Sequence, residues 1–167
     1  MTPARRRIWA WAFYDWANSA YATVVIAGFF PLFFREYWGS GLEQAERTFW
    51  LGAANSTSSL LIVLLAPLLG AVADRAGMRR RFLIRFALLG ILATATLALI
   101  GAGHWGLAAG AFAVATVGFM GANVFYYALL LEVAPPGEGD RVSALGYGLG
   151  YLGGGVLFAG CVALALM

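Results

Sequence analysis

Five apolar stretches decide what this chain can fold into. Each is about 20 residues or longer, enough for an α-helix to cross the hydrocarbon core of a bilayer. None alternates strictly between apolar and polar residues, and each is about twice as long as a strand of a membrane barrel. The sequence therefore predicts an all-α integral membrane protein with about five transmembrane helices, over residues 9–34, 49–73, 82–102, 106–133 and 142–166.

The composition and the placement of charge support this prediction. Hydrophobic residues make up 62% of the chain and charged residues 11%, which excludes an ordinary soluble domain. All eleven basic residues are arginines, and a cytoplasmic N-terminus would put only Arg35 and Arg47 on the outer side. Because positive charge marks the cytoplasmic side, we expect that orientation in a bacterial inner membrane. The arginines then set orientation, and no nucleic-acid partner is expected.

The arginine cluster at the start of the chain has a second interpretation. Arginines before an apolar run, with Ala20-Tyr21-Ala22 as a small-residue cleavage site, also fit a cleavable signal peptide. Asp15 and Asn18 interrupt the candidate apolar region, however, and apolar sequence continues to Phe34. An apolar segment of that length favours a transmembrane helix that stays in the mature protein over a signal peptide that is removed.

The first span is unusually polar for a helix that faces lipid. Its sequence WAFYDWANSAYATVV places Asp15, Asn18 and Ser19 on one helical face, which lipid cannot solvate. One interpretation is that Asp15 lies near the inner headgroups and orders the start of the helix. The other is that Asp15 faces a cavity and binds a proton or a cationic group, with Tyr14, Asn18 and Tyr21 around it. Asp15, Asn18 and Tyr21 are therefore candidates for a substrate or proton pathway.

The fourth span carries a second polar face, in the sequence GANVFYYALLLEVAPP. Asn123, Tyr126 and Tyr127 follow helical spacing and form a second candidate cavity wall. An aromatic belt at the membrane interface is the alternative, but it does not explain an amide well inside the span.

An arginine-rich loop, GAVADRAGMRRR, joins the second and third spans. Its simplest interpretation is a basic cytoplasmic loop. Its spacing carries more information, because it follows the pattern G-x-x-x-D-R-x-G-x-R-R and resembles the loop between helices 2 and 3 of the major facilitator superfamily. The residues that match are Gly70, Asp74, Arg75, Gly77, Arg79 and Arg80.

The fifth span contains a glycine ridge, which consists of Gly146, Gly150 and Gly154. Glycine at every fourth position makes a flat surface on which another helix packs closely, and self-association is one use of such a surface. The spacing G-x-x-x-G-Y-x-x-G-G also resembles the fifth-helix motif of facilitator-type antiporters. Tyr151 stands where that motif has a proline.

Three segments together resemble the vacuole-effluxer-like branch of the major facilitator superfamily: YDWANSAYATVV, the arginine-rich loop, and FYYALLLEVAPP with RVSALGYGLGYLGGG. The resemblance implies twelve helices in two halves, with substrate bound between them and moved by alternating access. We therefore expect this chain to be a truncated N-terminal half, without the second half. It further implies secondary transport of small solutes, with export of amino acids or similar metabolites, and an inner-face latch that includes Asp74, Arg75 and Arg79.

Two functional classes other than transport are compatible with parts of this sequence. A non-transporting membrane assembly subunit or a degenerate gene fragment is the alternative, since five helices need a partner for their polar faces. An intramembrane hydrolase built on Asp15 and Asp74 is disfavoured, because Asp74 lies in a basic surface loop and no nucleophile motif is present. We expect no enzymatic activity, no cofactor and no metal site. The expected partners are a small-molecule substrate, the lipid bilayer, and the remaining transporter helices or a second chain.

Overall fold

The computed structural model describes residues 2–76 and 78–167, with the backbone alone for residues 72–76. Five helices in this part of the chain are long and apolar enough to cross a membrane. The prediction of an all-α protein with five membrane-spanning helices is therefore confirmed. We label the helices α1 (Pro3–Trp38), α2 (Gln44–Ala76), α3 (Arg79–Thr96), α4 (Trp105–Val133) and α5 (Gly139–Ala165).

The first helix is continuous but irregular. It widens into π-helix over Tyr21–Phe29 and again over Phe34–Trp38, and Pro31 lies between the two segments. Proline has no amide proton, and its ring clashes with the carbonyl group four residues earlier. Just before this proline, the Phe30 amide donates to the carbonyl oxygen of Val25, at the five-residue spacing of a π-helix. The wider turns thus keep the backbone hydrogen-bonded on either side of the proline.

The chain forms two packing units, and the first consists of residues 1–30 and 127–167. Here α1 packs on the glycine ridge of α5, whose three glycines are all buried. A methyl group added at Gly150 would lie 2.5 Å from the Asp15 carboxylate, and one at Gly154 would lie 2.8 Å from the Thr23 hydroxyl. The ridge that could have served self-association is therefore occupied by α1 of the same chain.

The second packing unit consists of residues 31–126. In this unit α3 and α4 cross so closely that a methyl group at Gly118 would overlap the backbone of Gly90. The fully buried Ser58 of α2 donates a hydrogen bond of 3.1 Å to the carbonyl oxygen of Ala113 in α4. Ser58 thus hydrogen-bonds across a contact between two helices, a use that small polar residues often have in membrane helices.

The end of α1 is fixed within the second unit. The Trp38 indole donates a hydrogen bond of 3.0 Å to the carbonyl oxygen of Ile100, and the Gly103 amide donates one of 3.2 Å to Tyr37. Gly103 has a φ of +78°, a conformation that side chains disfavour. This turn ties the end of α1 to the connection between α3 and α4.

Candidate functional site

Asp15 is the buried acid of the first packing unit, with 7% of its surface exposed. The Ser19 hydroxyl, one helical turn further along α1, hydrogen-bonds to its carboxylate. On the α5 side the carboxylate lies against Gly150, where even a methyl group would not fit. The acid is therefore enclosed between two helices and held by a neutral donor.

Tyr14 and Asn18 form a second polar pair on α1, next to the acid. The Tyr14 hydroxyl donates a hydrogen bond of 3.4 Å to the Asn18 side-chain oxygen. Both residues are half-buried, as is Tyr21 at the start of the first π-helical segment. The three candidate residues predicted on α1 thus lie within two turns of one another, with Asp15 the most buried of them.

Two further tyrosines approach this group from α4 and α5. A hydrogen bond joins the hydroxyls of Tyr127 and Tyr147, and their ring centroids are 6.5 Å apart. Tyr127 lies near enough to Asp15 for the charge of the carboxylate to act on it. About half the surface of each tyrosine is exposed. We call Tyr14, Asp15, Asn18, Ser19, Tyr127 and Tyr147 the Asp15 cluster.

Asn123 and Tyr126, the other two residues predicted on α4, belong to the second packing unit. Tyr126 is 2% exposed, and its neighbour Phe125 stacks on Phe82 of α3 with ring centroids 5.3 Å apart. Asn123 is half-buried. A cavity wall formed by Asn123, Tyr126 and Tyr127 together stays a prediction, and in the structure the two adjacent tyrosines differ sharply in exposure.

The loop motif is only partly within the described residues. The side chains of Asp74 and Arg75, and the whole of Gly77, lie outside them, so the predicted latch stays a prediction. Arg79 and Arg80 form the first turn of α3, half-buried and exposed respectively. At Gly70, an added methyl group would meet no described atom within 4 Å.

The structure adds Thr23 and Tyr147 to the residues selected from sequence. The Thr23 hydroxyl donates a hydrogen bond of 3.2 Å to the carbonyl oxygen of Gly154 and so joins α1 to α5. A signal for this contact was present in the sequence. Polar residues at 15, 19 and 23 recur every four positions, the same spacing as the glycine ridge. No spacing in the sequence indicated Tyr147, because its contact with Tyr127 depends on how α4 packs beside α5.

The Asp15 cluster offers a carboxylate, an amide and several hydroxyls. Such a group can take up a proton or bind a cationic or amino-bearing solute, because a carboxylate in a poorly solvated site gains most from a positive partner. No group of three or more His, Cys, Asp or Glu side chains that could hold a metal ion occurs among the described residues.

Comparison with known proteins gives the family. The family model described as Major Facilitator Superfamily matches residues 2–158. The chain belongs to this family. Membership in a family of membrane transporters agrees with the five apolar helices.

Two curated bacterial proteins are similar to this family member. A Bacillus subtilis (strain 168) protein described as an uncharacterized MFS-type transporter, YxiO, is 41% identical over 95% of this chain and 37% of its own length. An uncharacterized protein of Aquifex aeolicus (strain VF5) is 29% identical over 88% of this chain and 36% of its own length. The chain thus spans little more than a third of the relatives it matches. No solved structure matches it.

Proposed function

We propose that this chain is the N-terminal part of a secondary transporter that moves small solutes by alternating access. The resemblance to the vacuole-effluxer-like branch supports export of amino acids or similar metabolites. The distribution of arginines supports a cytoplasmic N-terminus, and we place the protein in a bacterial inner membrane. The observation that carries the proposal is the burial of an ionisable residue, Asp15, inside a contact between membrane-spanning helices.

The depth of Asp15 supports a role in coupling rather than at the interface. The run of arginines at the N-terminal end of α1 finishes at Arg7, and a side chain of this kind stays with the headgroups. With a rise of about 1.5 Å per residue, Asp15 lies about 12 Å further along the helix, close to the middle of a hydrocarbon core of about 30 Å. Acids at that depth are costly and occur mainly on proton or ion pathways.

The surroundings of the acid indicate how it would act. Ser19 is a neutral hydrogen-bond donor to the carboxylate, so it can support the charged form without fixing it as a permanent ion pair would. Tyr127 and Tyr147 are half-exposed and hydrogen-bonded to each other, and Tyr127 lies within electrostatic reach of the acid. We infer that a proton or an amino group reaches Asp15 along these tyrosines.

A non-transporting assembly subunit is the second candidate, because five helices with polar faces need a partner. Transport by alternating access needs two opposed walls that close in turn. Five helices of one half supply one wall. By this argument residues 1–167 alone do not transport, whereas a complete transporter that carries them does.

Reconstitution into liposomes tests both candidates. We expect the complete transporter to exchange labelled amino acids in a counterflow assay, and residues 1–167 alone to show only the leak of empty liposomes. Robust flux through residues 1–167 alone would contradict the two-wall argument. If the complete transporter moves no member of a broad panel of amino acids and related metabolites, the assignment of solute class is wrong.

A further inference from the structure

A groove of about 490 Å³ opens where the first turns of α1 and α5 meet. Its lining combines charged and apolar side chains. Arg5, Arg141 and Glu138 provide the charges, and Trp9, Val142 and Leu145 provide apolar surface. All six belong to the first packing unit, and none belongs to the Asp15 cluster.

The groove lies at the membrane surface. Its residues come from the beginnings of two spanning helices separated by four crossings, so both ends face the same side of the bilayer. Arg6 and Arg7 continue the positive charge beside it and are exposed. This is the side that carries most of the arginines of the chain, the side where basic pockets between helices meet lipid headgroups.

The charges of the groove favour an anion. Arg141 and Glu138 form a loose ion pair with 3.7 Å between nitrogen and oxygen, and the side chain of Arg141 is still 87% exposed. Arg5 adds a second exposed guanidinium, so the groove carries a net positive charge. Guanidinium groups bind phosphate through paired hydrogen bonds.

The apolar part of the groove indicates that the anion it favours is the headgroup of a lipid. Val142 is buried and Trp9 and Leu145 are half-buried, so an apolar wall continues from the arginines toward the membrane interior. Indole rings favour this depth, where one edge meets headgroups and the other meets acyl chains. An inorganic anion would leave that wall unused, and a neutral acyl chain would leave the guanidiniums unused.

We propose that the groove binds one anionic phospholipid of the adjoining leaflet. Its phosphate lies between Arg5 and Arg141, and the upper part of an acyl chain lies along Trp9, Val142 and Leu145. The proposal needs only membrane insertion, so it stands or falls separately from the transport function.

Native mass spectrometry of the detergent-purified chain tests this proposal, with dioleoylphosphatidylglycerol and dioleoylphosphatidylcholine added at equal concentration. We expect one retained phosphatidylglycerol in preference to phosphatidylcholine. Removing the charge of both arginines, with Arg5→Gln and Arg141→Gln together, should weaken retention by about twenty-five-fold, since each arginine beside an anionic headgroup is worth about five-fold. Both side chains are exposed, so the variant should fold.

Arg35→Gln is the control, because Arg35 is also an exposed arginine beside an acid, Glu36, toward the other end of α1. Retention should be unchanged in this variant, and an equal loss would show that only overall charge matters. Equal retention of the two lipids by the unaltered chain would overturn the proposal. Complete displacement of the lipid by inorganic phosphate would also overturn it, because it would identify a site for a soluble anion.

Discussion

At the scale of single residues, Gly150 decides where Asp15 can lie. The carboxylate rests against the α5 backbone because no side chain stands in the way, and an added methyl group would lie 2.5 Å from the carboxylate and 2.7 Å from the Ser19 hydroxyl. Both neighbours are polar and joined by a hydrogen bond. The methyl group would therefore have to push the helices apart or break that bond.

Gly150→Ala should destabilise the chain by about 1–3 kcal/mol, the usual cost of overpacking a tight contact. Gly148→Ala is the matched control on the same helix, because a methyl group there meets no described atom within 4 Å. Gly148→Ala should leave the stability unchanged or raise it by up to about 1 kcal/mol, because alanine favours a helix more than glycine does. Thermal unfolding in detergent measures both. Equal stability of the two variants would mean that Asp15 is not held against α5.

At the scale of whole helices, the crossing of α3 and α4 depends on two facing glycines. Gly90 and Gly118 let the backbones meet, and Phe86 packs over Gly121 one turn further along. Close backbone approach of this kind supplies van der Waals contact where lipid provides no hydrophobic driving force between helices. The contact is an internal support of the second packing unit.

Gly118→Ala should therefore lower the thermal stability of the chain by about 1–3 kcal/mol, because the new methyl group overlaps Gly90. Gly110→Ala, on an open part of the same helix, is the comparison and should not lower it. Crosslinking between cysteines placed on α3 and α4 would follow the separation of the helices directly. If the two variants unfold alike, the close crossing does not exist in the membrane.

The sequence predicts which segments form membrane-spanning helices. It does not predict where a helix departs from regular α-helical geometry, or which helices contact one another. Apolar length alone identified all five spans, because only a helix satisfies its own backbone in lipid. The π-helical segment Tyr21–Phe29 had no signal apart from Pro31, since its composition suits an ordinary helix. The glycine ridge was visible, but its partner was not, because a flat ridge accepts any close-packing helix.

The Asp15 cluster shows the same division between local and long-range information. Spacing placed Asp15, Asn18 and Ser19 near one another on α1, and the structure agrees. The approach of Tyr127 and Tyr147 depends on how helices far apart in the chain associate. No periodicity within one helix encodes that association.

At the scale of the whole molecule, the arginines should fix how the chain lies in the membrane. Ser40 and Arg80 are exposed residues beyond opposite ends of α2, so they report opposite sides of the bilayer. With Cys161 replaced by alanine, a cysteine at 40 should react with an impermeant maleimide in intact cells, and one at 80 only after permeabilisation. The reverse pattern would refute a cytoplasmic N-terminus.

The central claim is that Asp15 serves transport and is not merely an interfacial acid. Flux driven by a pH gradient, measured in a complete transporter carrying these residues, tests it most directly through Asp15→Asn. This change keeps the shape and removes the charge, so insertion should persist while proton-driven flux falls to background. The same substitution at Asp140, an exposed acid in the first turn of α5, should leave flux intact. Unchanged flux and pH dependence in Asp15→Asn would contradict the account.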